Sequence, residues 1–153
     1  MKLNPDCIRD LMMFLEEKTW VTVKDDGRSK FSYFHVLCPA LIQELDPVNK
    51  YSLEEVLYHI IQLSESGYIS TDFTFNPSRD DGTFRLARVY YITPKGHELI
   101  ASIEEDKRWN KIKKILAPLG SVSLAVIESV ASGVTSAIIE KSTGQTQSRT
   151  PLL

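Results

Sequence analysis

At 153 residues, the chain has room for one ordinary domain and an appendage, but hardly for two full domains. Hydrophobic residues at 42% and charged residues at 25% exclude wholesale disorder. Eighteen basic against twenty acidic side chains leave a net charge of −2, so no global cationic field draws the chain to nucleic acid. Two cysteines, Cys7 and Cys38, cannot build a disulfide scaffold and fit a reducing, cytoplasmic setting. The opening Met1-Lys2-Leu3 lacks the apolar run of a signal peptide.

Asn4-Pro5-Asp6 predicts a helix start, with Ile8, Leu11, Met12 and Leu15 recurring on one side to about Lys18. Trp20 to Val23 and Phe31 to Val36 are β-prone stretches around an Asp25-Asp26-Gly27 turn, a small hairpin. Pro39 opens a short helix, Ala40 to Leu45, closed by Asp46-Pro47. Ser52 and Glu55 form a capping box for a helix with Leu53, Val56, Leu57, Ile60 and Leu63 as its apolar stripe, ended by Gly67 in a left-handed cap. Tyr68 to Phe75 and Phe84 to Ile92 follow as strands joined by a polar loop, and Thr93-Pro94 starts a helix with Leu99, Ile100 and Ile103 inward.

Helix, helix, strand, hairpin loop, strand, helix is the order of a winged helix-turn-helix, an α+β body with a small β-hairpin wing. Residues 1–103 form this unit. Residues 104–141 add two C-terminal helices, and residues 142–153 are a polar, flexible tail.

Three segments carry a resemblance: Met1-Lys2-Leu3-Asn4-Pro5-Asp6-Cys7-Ile8-Arg9-Asp10; Tyr51-Ser52-Leu53-Glu54-Glu55-Val56-Leu57-Tyr58-His59-Ile60 with Leu63-Ser64-Glu65-Ser66-Gly67-Tyr68-Ile69; and Ile92-Thr93-Pro94-Lys95-Gly96-His97-Glu98-Leu99 with Trp109. Together they resemble the family known as domain of unknown function 2513. The resemblance implies a phage or prophage origin and carries over no catalytic residue.

The helix in the recognition position presents Glu54, Glu55, Tyr58, Gln62 and Glu65 away from its stripe, with no Lys or Arg among them. Duplex affinity comes largely from neutralising phosphates, so this face suits a protein partner better than DNA. Arg79, Arg85 and Arg88 near the wing, with Lys107, Lys111 and Lys114 on the fifth helix, are the residues a dimeric DNA-binding regulator would use instead. His35, His59 and His97 stand at no metal-ligand spacing, and no phosphate-binding loop or nucleophile elbow appears. These features point to no enzyme, no metal and no cofactor.

The final helix, Val122 to about Glu140, has Glu128 as the only charge between Ile115 and Ile139. Leu124, Ile127, Ala131, Val134 and Ile138 make one stripe, with Val130 beside it, so the apolar arc spans about 200°, wider than a single core contact needs. Ala125, Ser129, Gly133 and Ala137 recur every fourth residue and permit close helix approach. The stripe, with Val130 and Gly133, is the expected oligomerisation surface, a dimer being the simplest form. Pro118, Gly120, the serines and Glu128 argue against a membrane span. The sequence therefore points to an accessory protein that self-associates and acts by protein–protein contact; the phage origin that the resemblance implies makes a host or phage protein the expected partner. A dimeric winged-helix transcriptional regulator is the alternative.

Overall fold

The computed structural model of the chain describes residues 1–32, 34–35, 39–75 and 84–147, which form a mixed α+β fold. Helix α1 spans Pro5–Lys18. The Asn4 side chain accepts from the backbone N–H groups of Asp6 and Cys7, and Pro5 fills the first turn, where no donor is required. Cys7, Ile8, Leu11, Met12 and Leu15 are its buried side.

Strands β1 (Trp20–Val23) and β2 (Ser29–Ser32) pair antiparallel, with Trp20 opposite Ser32. The second β-prone stretch, expected as one strand of this hairpin, is divided. Strand β3 (Phe34–His35) pairs instead with a later strand, and Val36 lies outside the described residues. The division has a physical reason: Trp20, Val21 and Val23 are exposed, so a longer hairpin would bury little, whereas a second sheet offers β3 a paired edge.

Helix α2 (Pro39–Leu45) begins at the expected proline. The link beyond it exceeds a tight helix-turn-helix turn, and buried Asp46 organises it. Its carboxylate accepts from the backbone N–H groups of Lys50 and Tyr51, each at 2.8 Å, and Asn49 adopts a left-handed φ of 52°.

Helix α3 (Leu53–Glu65) starts on Ser52, whose hydroxyl accepts from the Glu55 N–H. It ends in a Schellman motif: the Tyr68 N–H donates to Leu63 O, the Gly67 N–H to Ser64 O, and Gly67 has a φ of 83°. Strands β4 (Ile69–Phe75) and β5 (Phe84–Ile92) follow, and the sheet order is β3-β5-β4. Residues 76–83, the expected wing tip, lie outside the described residues.

Helix α4 (Pro94–Ile103) is seated directly on the end of α3. Thr93 donates its N–H to Tyr68 O and its hydroxyl to Gly67 O, while the Lys95 ammonium donates to Ser66 O and lies 4.6 Å from the Tyr68 ring centroid. The approach is so close that a Cβ on Gly96 would stand 2.1 Å from Tyr68 O and 2.6 Å from Ile92 Cγ2. Only glycine fits there.

Helix α5 (Asp106–Leu116), a 3-10 turn (Ala117–Leu119) and helix α6 (Leu124–Gln147) complete the described chain. The last helix runs past its expected end near Glu140 into the segment expected to be a flexible tail. The residues added, from Lys141 to Gln147, contain one glycine and no proline, and a single helical glycine costs only about 1 kcal/mol. Residues 148–153 lie outside the described residues. Trp109, Ile112 and Leu116 of α5 and Leu124, Ile127 and Ala131 of α6 belong to the same hydrophobic core as α1, α3 and α4. Among the described residues, no helix is long and apolar enough to cross a membrane.

Candidate functional site

The polar side of α3 is committed in part to the chain's own structure. Val56, His59, Ile60 and Leu63 are its buried residues, whereas Leu53, expected in the stripe, is 47% exposed. Leu53 is the first residue of the helix. His59 is wholly buried between two backbone groups: Nε2 accepts from the Asn4 N–H at 2.7 Å, and Nδ1 donates to Glu55 O at 2.6 Å. This pattern requires the tautomer with its proton on Nδ1.

The expected capping box is half-formed. The Glu55 carboxylate reaches across to accept from the Asn4 side-chain amide at 3.0 Å. Glu55 therefore fastens α3 to the start of α1 and is no part of a free anionic face. Glu54 and Glu65 remain exposed, with Tyr58 and Gln62 half-buried between them and Tyr58 edge-on to the His59 ring. Two separated carboxylates survive of the three expected.

A polar cleft of about 540 Å³ runs from α1 to α5 beside this fastening. Asp6 accepts from the Trp109 indole at 3.0 Å and pairs with Lys113 at 3.3 Å. Arg9 donates to Ile103 O and Glu104 O at the end of α4, pairs with Asp106 at 2.7 Å and lies over the Trp109 ring. Asp10 accepts from the Tyr51 hydroxyl at 2.6 Å and the Lys50 ammonium at 2.7 Å. Its carboxylate raises the Lys50 pKa, mainly through that hydrogen bond, while burial first and Asp10 second push the Tyr51 phenol above its ordinary value. Sequence reasoning assigned no role to Asp6, Arg9 or Asp10, although all three stand in the opening segment that carries the family resemblance. Each charge has an opposite partner, so the cleft is a stitched seam between elements.

Of the three wing arginines, only the side chain of Arg88 falls among the described residues. Arg88 pairs with its cross-strand neighbour Asp72 at 3.0 Å and lies over the ring of Tyr90, two residues further along β5. Arg79 and the Arg85 side chain lie outside the described residues.

The expected basic row is present. Lys107, Lys111 and Lys114 are exposed on α5, opposite buried Trp109, Ile112 and Leu116. Alongside it, α5 and α6 enclose a groove of about 390 Å³. Lys111, Lys114 and Ile115 form one wall; Val134, Ala137, Ile138 and Lys141 form the other. Lys141 was missed, although it continues the Val134 and Ile138 side at helical spacing beyond the point where the helix was expected to stop.

The expected oligomerisation stripe is divided along its length. Leu124, Ile127 and Ala131 are 6%, 0% and 0% exposed, covered by the chain's own core. They are unavailable to another copy. Val130 and Val134 are half-buried against that core. Gly133 and Ile138 are exposed, as are Ala125, Ser129, Ser132, Ser136 and Ile139. Glu128 is no free charge either: it accepts from the Tyr68 hydroxyl and ties α6 to the end of α3. Burial first, and Glu128 second, raise the Tyr68 pKa.

Among the described residues, no group of three His, Cys, Asp or Glu side chains is placed to hold a metal ion. Cys7 is buried as a free thiol, and burial chiefly pushes its pKa up to about 12.

No curated protein and no solved structure matches the chain. A family model described as Hypothetical protein (DUF2513) matches residues 2–123, from the capping turn of α1 through the seam, α3, the sheet and α5 to the threshold of α6. The chain belongs to the DUF2513 family.

Proposed function

We propose that the chain is a cytoplasmic accessory protein of phage type that works by protein–protein contact and self-associates through the outer side of α6. One observation carries the self-association. From Ala125 to Ile139 the exposed side of α6 bears no charge, and Ile139 at its end is 57% exposed. A solvent-facing helix ordinarily places charges on that side. Small residues at Ala125, Ser129, Ser132, Gly133 and Ser136 allow two helices to pack closely, and an isologous pair would cover Ile139 as well. Glu54 and Glu65, with Tyr58 and Gln62, offer a second contact surface on α3.

Gly133→Arg tests this cleanly. An added Cβ there meets nothing within 4 Å, so the variant leaves the single chain's packing intact. Light scattering should give a dimer mass for the full chain and a monomer mass for the variant, with an unchanged circular dichroism spectrum. A full chain that stays monomeric at all concentrations overturns the reading. Truncation after Gly120 is no substitute, since it removes Leu124, Ile127 and Ala131 from the core.

A second reading, a dimeric winged-helix DNA-binding regulator, draws support from the exposed row of Lys107, Lys111 and Lys114. Retention on duplex DNA that falls steeply with salt, and is lost when these lysines become Glu, would favour it over the first.

A further inference from the structure

We propose that the groove between α5 and α6 is a docking site for an acidic amphipathic peptide segment of another protein; the inference rests on the reading of the chain as a protein-contact module. The groove joins two features that rarely coincide by chance. Its lining contains three lysines, Lys111, Lys114 and Lys141, and no carboxylate. Its floor is aliphatic, with Ile115 and Ile138 exposed by 49% and 38% beside half-buried Val134.

Several cations elsewhere on this chain are spent internally: Arg9 on Asp106, Lys50 on Asp10, Lys113 on Asp6 and Arg108 on Glu105. Lys111, Lys114 and Lys141 make no ion pair among the described residues. Uncompensated charge of one sign around an apolar trough specifies its complement. A partner needs carboxylates on two sides and aliphatic side chains between them. Lys111 and Lys114 stand on the α5 wall and Lys141 on the α6 wall, so an amphipathic helix or extended segment lying along the groove meets a cation on each flank. A volume of about 390 Å³ admits a few side chains, which suits a peptide segment better than a folded domain. Nucleic acid would satisfy the lysines but leave the isoleucines wet.

A displayed library of random peptides, selected on the full-length protein and counter-selected on the triple variant Lys111→Glu, Lys114→Glu, Lys141→Glu, identifies the occupant class. All three positions are exposed, and an unchanged melting curve certifies the variant's fold. The expected result is enrichment of peptides that combine Asp or Glu with Leu, Ile, Val or Phe at helical spacing. The best of these, synthesised with a fluorophore, should lose at least tenfold in affinity on the triple variant and also on Ile138→Asp. Absence of enrichment, enrichment that the triple variant retains, or selection of peptides without acidic residues overturns the proposal. So does finding that the triple variant instead abolishes binding to phosphatidylserine-containing vesicles or to duplex DNA. Light scattering on the same samples separates this proposal from self-association: a dimer that persists without peptide binding sinks the groove alone. A dimer lost on the triple variant makes the groove a contact between copies.

Discussion

Helices α3 and α5 are of similar length and both amphipathic, yet their polar sides are used differently. On α3, Glu55 and His59 turn inward to the first residues of α1. On α5, Lys107, Lys111 and Lys114 stay in solvent. The difference separates polar groups that hold the fold from polar groups left over for something else. By sequence position, α3 is the more conspicuous functional candidate. By geometry, Glu55 and His59 are consumed and two separated carboxylates remain on α3, whereas three exposed lysines stand in one row on the later helix.

Substitutions sharpen this contrast, beginning with the junction that seats α3. Gly96→Ala drives a methyl group into Tyr68 O, so it should cost about 3 kcal/mol or more and lower Tm by roughly 10 °C in a thermal melt. A neutral outcome would mean that α4 can slide off the end of α3, and that α3 is held less firmly than argued. His59→Leu comes next. It strands the Asn4 N–H against the α3 side chains, a cost of about 1–3 kcal/mol by denaturant titration, whereas Lys111→Ala should stay within about 0.5 kcal/mol. Equal costs would erase the distinction between the two helices.

Within one pH unit of its onset, the smallest expected effect is alkaline. Cys7 has its pKa raised from an ordinary 9.0 to about 12, so above pH 9 the unfolded chain gives up a proton that the folded chain keeps. Stability is therefore untouched by this group below pH 9 and falls above it, by at most about 1.4 kcal/mol per pH unit. Tyr51 and Tyr68, raised from an ordinary 10.0, add losses of the same sign from pH 10. In Cys7→Ala the onset of the decline should move from about pH 9 to about pH 10, read from urea midpoints across the alkaline range. An unchanged onset would show that the thiol does not hold its proton through burial.

Much of the fold is legible in local chemistry. Asn4-Pro5, Ser52, Gly67 and Thr93-Pro94 mark helix boundaries because capping depends on the few residues at each end. The periodic apolar residues of α1, α4 and α5 point inward as their spacing requires. The candidate sites were less legible. Spacing placed Lys107, Lys111 and Lys114 together on one side, but the groove that Lys111 and Lys114 line also needs Ile115 and Lys141, from two helices whose packing no local pattern encodes.

The sequence by itself determined the α+β class, most helix starts and stops, and the charge carried by each helical face, since these depend on neighbours a turn or less apart. Only tertiary structure decided which polar groups were already used. Glu55 looks like half of a capping box until Asn4 arrives from 51 residues away. Glu128 looks like a stray charge until the Tyr68 hydroxyl meets it, and Leu124, Ile127 and Ala131 look like an interface until α6 folds back onto the core. A side chain is free to bind only if no distant part of its own chain has bound it first, and that accounting closes in three dimensions.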